Sequence, residues 1–235
     1  MRFHNPLFVA LDTPDLDRAV ALARAVKPFA GGLKVGIEFI AANGPDGVRR
    51  IVGEGLPVFA DVKFHDIPNT VAGAARALAG LGVAMFNVHA SGGGAMMRAA
   101  VDAISEARPR PLLLGVTVLT SLDDAALQSV GQQAPASSQV ERLARLALAS
   151  GLDGVVCSGN ELAAVRKACG HGFLTVVPGI RPAGEEMADQ RRVMTPAAAR
   201  AAGADILVVG RPITAAPDPA TAARAIVQEL GVSGT

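Results

Sequence analysis

Short apolar segments alternate along the chain with longer segments of helical periodicity, and this alternation restricts the possible folds strongly. Most of the apolar segments lack polar residues nearly throughout, as is typical of parallel strands that are covered on both faces. No two of them are joined by a two-residue turn of the Asn-Gly type, which disfavours antiparallel hairpins. The predicted strands are Leu7–Leu11, Gly32–Val35, Val58–Val62, Met85–Val88, Leu112–Leu119, Gly154–Cys157, Leu174–Val177 and Ile206–Val209.

Each predicted strand is followed by a segment with the spacing of a helix. Asp15 is placed to cap the first of these helices, and Pro196 and Pro219 stand where helix starts accept proline. The predicted helices are Leu16–Ala30, Pro45–Glu54, Thr70–Gly80, Ala95–Ala107, Ser138–Ala149, Glu161–Ala168, Pro196–Ala202 and Pro219–Leu230.

Repeated strand–helix units without a linker-like break predict an α/β fold, a single (β/α)8 TIM barrel domain spanning residues 1–235. The alternative is an open doubly wound sheet. A nucleotide-binding sheet of that kind would carry a glycine-rich loop after its first strand, whereas this strand ends in Leu11-Asp12-Thr13-Pro14. The barrel is therefore the favoured prediction.

Composition excludes several classes of function. The chain carries 22 Lys and Arg against 21 Asp and Glu, so it lacks the basic excess of a nucleic-acid binder. The apolar stretch from Ala77 to Val88 is too short for a membrane span, and the N-terminus lacks the pattern of a signal peptide, so a cytoplasmic location is expected. Cys157 and Cys169 form neither a metal-type pair nor a disulfide framework, and they are expected to be small buried apolar residues.

Polar residues are concentrated at the ends of the predicted strands, where a barrel carries its active site. Asp61 and Lys63 are two positions apart on the third strand, so both are expected to point into the barrel. Lys34, on the neighbouring second strand, can lie beside them. Such a cluster is costly unless its charges pair, and its position at the ligand-facing end favours function. A buried ion network that only closes the barrel interior is the alternative.

The connections after the seventh and eighth strands indicate a phosphate site, because many barrels bind phosphate there. Gly210 lets the backbone approach an anion and Arg211 supplies a guanidinium, with a helix expected a few residues later. The segment from Pro178 to Thr195 is long for such a connection and predicts a polar lid. A surface Arg on a turn and a plain surface insertion are the alternatives. The segment holds Arg181, Gly184, Glu185, Glu186, Gln190, Arg191 and Arg192.

His65 and His89 lie near strand ends, with Asp61 and Asp66 close in sequence. These residue types are compatible with a divalent metal site. The ammonium groups expected in the same cavity oppose a bound cation, so no metal is expected.

The ten residues from Asp61 to Thr70, in the order Asp-Val-Lys-Phe-His-Asp-Ile-Pro-Asn-Thr, resemble the D-x-K-x-x-D-I-P-N-T signature of the orotidine 5′-phosphate decarboxylase family. The resemblance covers essentially the whole chain. Its other landmarks, in order, are Ala10-Leu11-Asp12, Leu33-Lys34-Val35-Gly36, Val118-Leu119-Thr120-Ser121, Pro178-Gly179-Ile180-Arg181-Pro182 and Val209-Gly210-Arg211-Pro212-Ile213.

The resemblance implies cofactor-independent decarboxylation of orotidine 5′-phosphate to UMP and carbon dioxide. Lys63 resembles the proton donor to C6 of the pyrimidine, and Asp61 the carboxylate beside the departing carboxylate. Lys34 and Asp66 would complete the charge network, with Asp66 and Thr70 supplied by the partner subunit of a homodimer. The implied substrate contacts are ribose hydroxyls for Asp12 and Lys34, the base or its neighbourhood for Thr120, and the 5′-phosphate for Arg181, Gln190, Gly210 and Arg211.

Two other functions stay open on the sequence. One is a metal-dependent sugar-phosphate decarboxylase or epimerase on a related barrel. The other is a non-catalytic barrel that binds a phosphate ligand. The Asp61 and Lys63 pair disfavours the second alternative, because simple binding does not need it.

Overall fold

A closed parallel barrel forms the centre of the computed structural model, which describes residues 3–182 and 194–232. Each strand pairs with the next, and the last pairs with the first. This confirms the predicted TIM barrel, because every strand has two neighbours and an open sheet would leave two edges. The strands are β1 (Leu7–Ala10), β2 (Gly32–Gly36), β3 (Val58–Phe64), β4 (Met85–His89), β5 (Leu112–Val116), β6 (Gly154–Val156), β7 (Leu174–Val177) and β8 (Ile206–Val209).

Helices alternate with the strands and cover the outside of the barrel. The Asp15 side chain accepts a hydrogen bond from the Arg18 N–H, as predicted for the cap of the first helix. Pro196 and Pro219 begin their helices, also as predicted. The helices are α1 (Leu16–Val26), α2 (Ile37–Val52), α3 (Pro68–Ala79), α4 (Gly93–Ala103), α5 (Asp124–Ser129), α6 (Ala136–Ala149), α7 (Leu162–Cys169), α8 (Pro196–Ala201), α9 (Arg211–Thr214) and α10 (Pro219–Glu229).

Two element predictions were wrong and one element was missed, in ways that affect the site. Strand β5 ends at Val116 and not at Leu119, so the last residues of that segment form a loop. Helix α2 begins at Ile37, eight residues before the predicted start, and is interrupted at Gly44, which has φ 61°. A short additional helix, α9, which was not predicted, begins at Arg211 directly after β8. In α2, the Pro after Gly44 was mistaken for the start of the helix, because proline favours that position.

The core has two layers that follow from the alternation of side chains along each strand. In β2, Leu33 and Val35 face the helices, so Lys34 between them faces the barrel interior. The inner layer fills the barrel below the cavity, and it consists of Phe8, Ala10, Phe59, Met85, Leu114, Val176, Ile206 and Val208.

None of the helices in the described ranges has the length and apolar content needed to cross a membrane.

Ion pairs close the N-terminal end of the barrel. The guanidinium of Arg166 lies 2.5 Å from a carboxylate oxygen of Asp205, which also accepts the Thr175 N–H at 2.8 Å. Arg110 pairs with Asp153 at 3.0 Å in the same way. Charged groups at this end hold neighbouring elements of the barrel together, as expected for the end opposite the active site.

Candidate active site

A cavity of about 520 Å³ opens at the C-terminal ends of the strands. Apolar residues of the inner layer, among them Phe59 and Val176, form part of its wall. The structure therefore brings together, around one space, most of the residues that the sequence predicted. These are Asp12, Lys34, Asp61, Lys63, Thr120, Arg181, Gly210 and Arg211.

Four charged side chains alternate in sign along one side of this cavity. Lys34 Nζ lies 2.5 Å from Asp12 Oδ1 and 3.9 Å from Asp61 Oδ2. Lys63 Nζ lies 2.7 Å from Asp61 Oδ1. Only 9% of the Lys34 side chain is exposed, against 53% for Asp12. Burial of an ammonium is tolerated here because a carboxylate stands on each side of it.

The side chain of Lys63 points into the cavity from an irregular stretch of backbone. Regular alternation along the strand alone does not set its direction. Its φ is 51°, a left-handed value that non-glycine residues rarely adopt. The pairing of β3 with β4 shifts register between Ala60 and Phe64, so the bulge includes both Asp61 and Lys63. The predicted direction of the two side chains is confirmed, while the bulge that sets it was not predicted.

Asn87 on β4 contacts both members of this pair. Its Oδ1 accepts the Lys63 backbone N–H at 2.7 Å, and its Nδ2 donates to Asp61 Oδ1 at 2.7 Å. The residue is fully buried. No role for Asn87 was predicted, although a polar side chain inside an otherwise apolar strand was the available signal.

Two further residues near Lys34 were missed. Gly36 lies where a Cβ atom would come within 3.1 Å of Lys34 Nζ and 3.2 Å of Asp12 Oδ1, so a side chain there would press on the ion pair. Glu38, in the first turn of α2, lines the cavity. Because the predicted helix began only at Pro45, Glu38 fell in the loop after the second predicted strand, and the location of its side chain could not be predicted.

Arg181, Gly210 and Arg211, the residues predicted to bind phosphate, all line the cavity. The Arg181 N–H donates to the Met194 carbonyl at 3.0 Å, so the start and the end of the long segment after β7 lie side by side. The predicted lid between them, with Gly184, Glu185, Glu186, Gln190, Arg191 and Arg192, lies outside the described residues.

Asp66 and Thr70 do not reach the cavity of their own chain. Both are exposed, and the Asp66 carboxylate accepts the N–H of Ile67 at 2.6 Å. Of the four residues predicted to form the charge network, a single chain therefore brings together Lys34, Asp61 and Lys63, and Asp66 stands apart.

His65 and His89 stack beside the network, with ring centroids 5.4 Å apart and planes tilted by 34°. Burial lowers the pKa of His89 below its ordinary value. The neighbouring His65 and Lys63 lower that pKa further, and Asp61 opposes them. The structure thus favours the neutral form of His89.

The part of the chain that the structure describes offers no set of side chains that could bind the metal ion of the alternative interpretation. Across residues 3–182 and 194–232, no three side chains of His, Cys, Asp or Glu are arranged to hold a metal ion. Asp61, one of the two carboxylates considered for this alternative, bonds to Lys63 and Asn87.

Comparison with known proteins gives consistent matches over nearly the whole chain. The family model described as Orotidine 5′-phosphate decarboxylase / HUMPS family matches residues 5–226. Orotidine 5′-phosphate decarboxylase of Moorella thermoacetica is 56% identical over 98% of this chain and 94% of its own length. That of Anaeromyxobacter dehalogenans is 57% identical over 98% of this chain and all of its own. The crystal structure of orotidine 5′-phosphate decarboxylase from Lactobacillus acidophilus superposes with a TM-score of 0.86 at 38% identity, covering 97% of this chain and 100% of that one.

Proposed function

This chain belongs to the orotidine 5′-phosphate decarboxylase / HUMPS family, and we propose that Lys63, Asp61 and Lys34 are the groups with which it decarboxylates orotidine 5′-phosphate. The reaction yields UMP and carbon dioxide and is the last step of de novo pyrimidine nucleotide synthesis. The observation that carries the assignment of residues is the Lys63–Asp61 ion pair at the mouth of the barrel. The relatives at 53% to 57% identity carry the decarboxylase name, which favours this branch of the family.

Lys63 supplies the charge and the proton that the reaction needs. When the bond between C6 and the carboxylate breaks, carbon dioxide leaves and the electron pair stays on C6, with no adjacent carbonyl to delocalise it. A fixed ammonium aimed at C6 stabilises that pair by preorganised electrostatics. Lys63 then transfers a proton to C6, and its amine recovers a proton from water.

Asp61 holds the ammonium of Lys63 at 2.7 Å and keeps it charged. In the substrate complex, its carboxylate lies beside the carboxylate that departs. Two like charges held close together in one cavity repel, and this repulsion is relieved when carbon dioxide leaves. Lys34, which lies between Asp12 and Asp61, limits the cost of burying the Asp61 carboxylate.

The remaining cavity residues bind the nucleotide. We assign the ribose hydroxyls to Asp12 with Lys34, the region of the base to Thr120, and the 5′-phosphate to Arg181, Gly210 and Arg211. Gln190 is proposed as a further phosphate ligand and lies outside the described residues. The phosphate is remote from the breaking bond, so its binding energy can be used to close a lid over the reacting atoms.

We propose a homodimer in which Asp66 and Thr70 enter the partner's cavity. Both residues are exposed and stand outside their own cavity, and between them Ile67 exposes 66% of its surface. An exposed apolar residue between two implied site residues supports an interface there.

Mixed dimers test this arrangement. A Lys63→Ala chain mixed with an Asp66→Asn chain should regain about a quarter of the wild-type activity, because half of the random dimers contain one intact site of two. Action of Asp66 within its own chain would leave the mixture as inactive as either parent.

The function itself is tested by the loss of orotidine 5′-phosphate absorbance, with and without EDTA. We expect the same rate in both, since the site needs no metal in this mechanism. A rate lost with EDTA and restored by a divalent ion would favour the metal-dependent sugar-phosphate enzyme. Tight UMP binding without turnover would favour the non-catalytic barrel.

The cytoplasmic location and the single domain over residues 1–235 stay predictions.

A further inference from the structure

Asn87 lies outside the ten-residue signature from Asp61 to Thr70, and we propose that it is the positioning residue that sets the direction of the Lys63 ammonium. The inference rests on the proposed function, because it concerns the same proton donor. Asn87 does not line the cavity, so it acts through Lys63 and Asp61 and not on the substrate.

The register of β3 against β4 explains why a polar residue is needed at this position. Ala60 pairs with Phe86 and Phe64 with Val88. Three residues of β3 therefore stand opposite the single residue Asn87. A bulge of this kind removes regular ladder bonds, and a buried N–H left without an acceptor is costly. The Asn87 side chain accepts the Lys63 N–H in place of a backbone carbonyl.

The orientation of the Asn87 amide is fixed by its two partners. Its oxygen meets an N–H donor, and its nitrogen meets the carboxylate of Asp61, which only accepts. Rotation of the amide by half a turn would place oxygen against carboxylate and nitrogen against N–H. One side chain therefore fixes the backbone of Lys63 and the carboxylate that receives its ammonium.

The consequence for the reaction concerns placement of the proton donor. Lys63 keeps φ 51° only as long as its surroundings hold it there. Without Asn87, the backbone of Lys63 can relax and the Asp61 carboxylate can rotate, and both changes move Nζ away from C6. A misplacement of about 1 Å costs roughly 100-fold in rate. Groups at the phosphate end of the cavity are not affected.

Asn87→Leu and Asn87→Ser test the inference. Leu fills nearly the same space without either hydrogen bond, and Ser leaves a smaller polar side chain if the Leu variant does not fold. We expect kcat to fall about 100-fold in both, with KM and the Kd of UMP within about threefold of the wild type. UMP lacks the carboxylate, so its affinity reports on the binding contacts alone.

Asn5 provides the matched control, because it is also buried and holds its neighbours by two hydrogen bonds. Its Nδ2 donates to the Phe29 carbonyl at 2.7 Å and its Oδ1 accepts the Leu7 N–H at 3.0 Å, next to the start of β1. Asn5→Leu and Asn5→Ser should lower the thermal midpoint while kcat stays at the wild-type value.

Two outcomes would overturn the inference. One is a kcat within about threefold of the wild type in a folded Asn87 variant. The other is a parallel loss of kcat and UMP affinity, which would show a collapsed site and not a displaced proton donor. A wild-type protein that makes no UMP would overturn the proposed function instead, so the two failures are distinguishable.

Discussion

The ammonium of Lys63 lies 2.7 Å from the carboxylate of Asp61 across a backbone that is left-handed at Lys63. The two residues are only two positions apart, and regular strand geometry would place their side chains next to each other without any such distortion. The bulge between Ala60 and Phe64 therefore changes where the ammonium is aimed, and not which face of the strand it occupies.

Replacement of Lys63 by Ala should abolish turnover and leave a folded protein. The substitution removes the proposed proton donor and the charge proposed to stabilise the carbanion, so we expect a loss of at least about 10⁴-fold in kcat. Single-turnover absorbance measures the rate, and circular dichroism measures the fold. Near-wild-type turnover would contradict the assignment of Lys63.

Replacement of Arg211 by Ala should weaken substrate binding more than the chemical step. Hydrogen bonds to charged groups contribute about 1.5–3 kcal/mol, which predicts a rise in KM of roughly 10- to 150-fold. Inhibition by UMP should weaken equally, while inhibition by uridine, which lacks the phosphate, should not change. An equal loss of affinity for both ligands would place Arg211 away from the phosphate.

Acidification should destabilise the protein through His89. Its pKa is lowered in the folded state by burial, His65 and Lys63, with Asp61 opposing. Below about pH 6.5, the unfolded chain therefore binds more protons at this site than the folded chain does. The stabilisation is complete above that pH and is lost as the pH falls through the folded-state pKa.

The measurement is the thermal midpoint between pH 8 and pH 5 for the wild type, His89→Gln and the exposed-residue control His171→Gln. We expect the His89 variant to lose less stability on acidification than the other two. Identical slopes in all three proteins would refute the role of His89.

Replacement of Asp205 by Ala should lower stability without changing kcat. Arg166, whose side chain is only 9% exposed, would lose its carboxylate partner at the end of the barrel remote from the cavity. Removal of one partner of such a buried pair costs about 3 kcal/mol. Asp46→Ala, which breaks an exposed pair with Arg49, should change the free energy of unfolding by less than about 0.5 kcal/mol. Urea unfolding of the two variants compares them directly.

The strands and the inward direction of Lys34 and Asp61 were predictable from the sequence, because both depend on periodicity within a few residues. The bulge at Lys63 and the role of Asn87 were not, since they depend on the register between β3 and β4. That register is set by packing between segments more than 20 positions apart in the chain.

The position of Asp66 was another feature that chain order could not supply. The same ten-residue signature contains Asp61 and Lys63 inside the cavity and Asp66 outside it. The start of α2 was missed because Gly44 and Pro45 interrupt the helical pattern, and this concealed Glu38 at the cavity wall.

The alternation of charge along the cavity has a consequence for how substrate arrives. Asp12, Lys34, Asp61 and Lys63 sum to zero net charge, and Glu38 adds a further negative charge nearby. This side of the cavity therefore exerts little long-range attraction on an anionic nucleotide, since electrostatic steering depends on uncompensated charge. Changes in ionic strength should therefore alter the pull of this side of the cavity on the nucleotide very little.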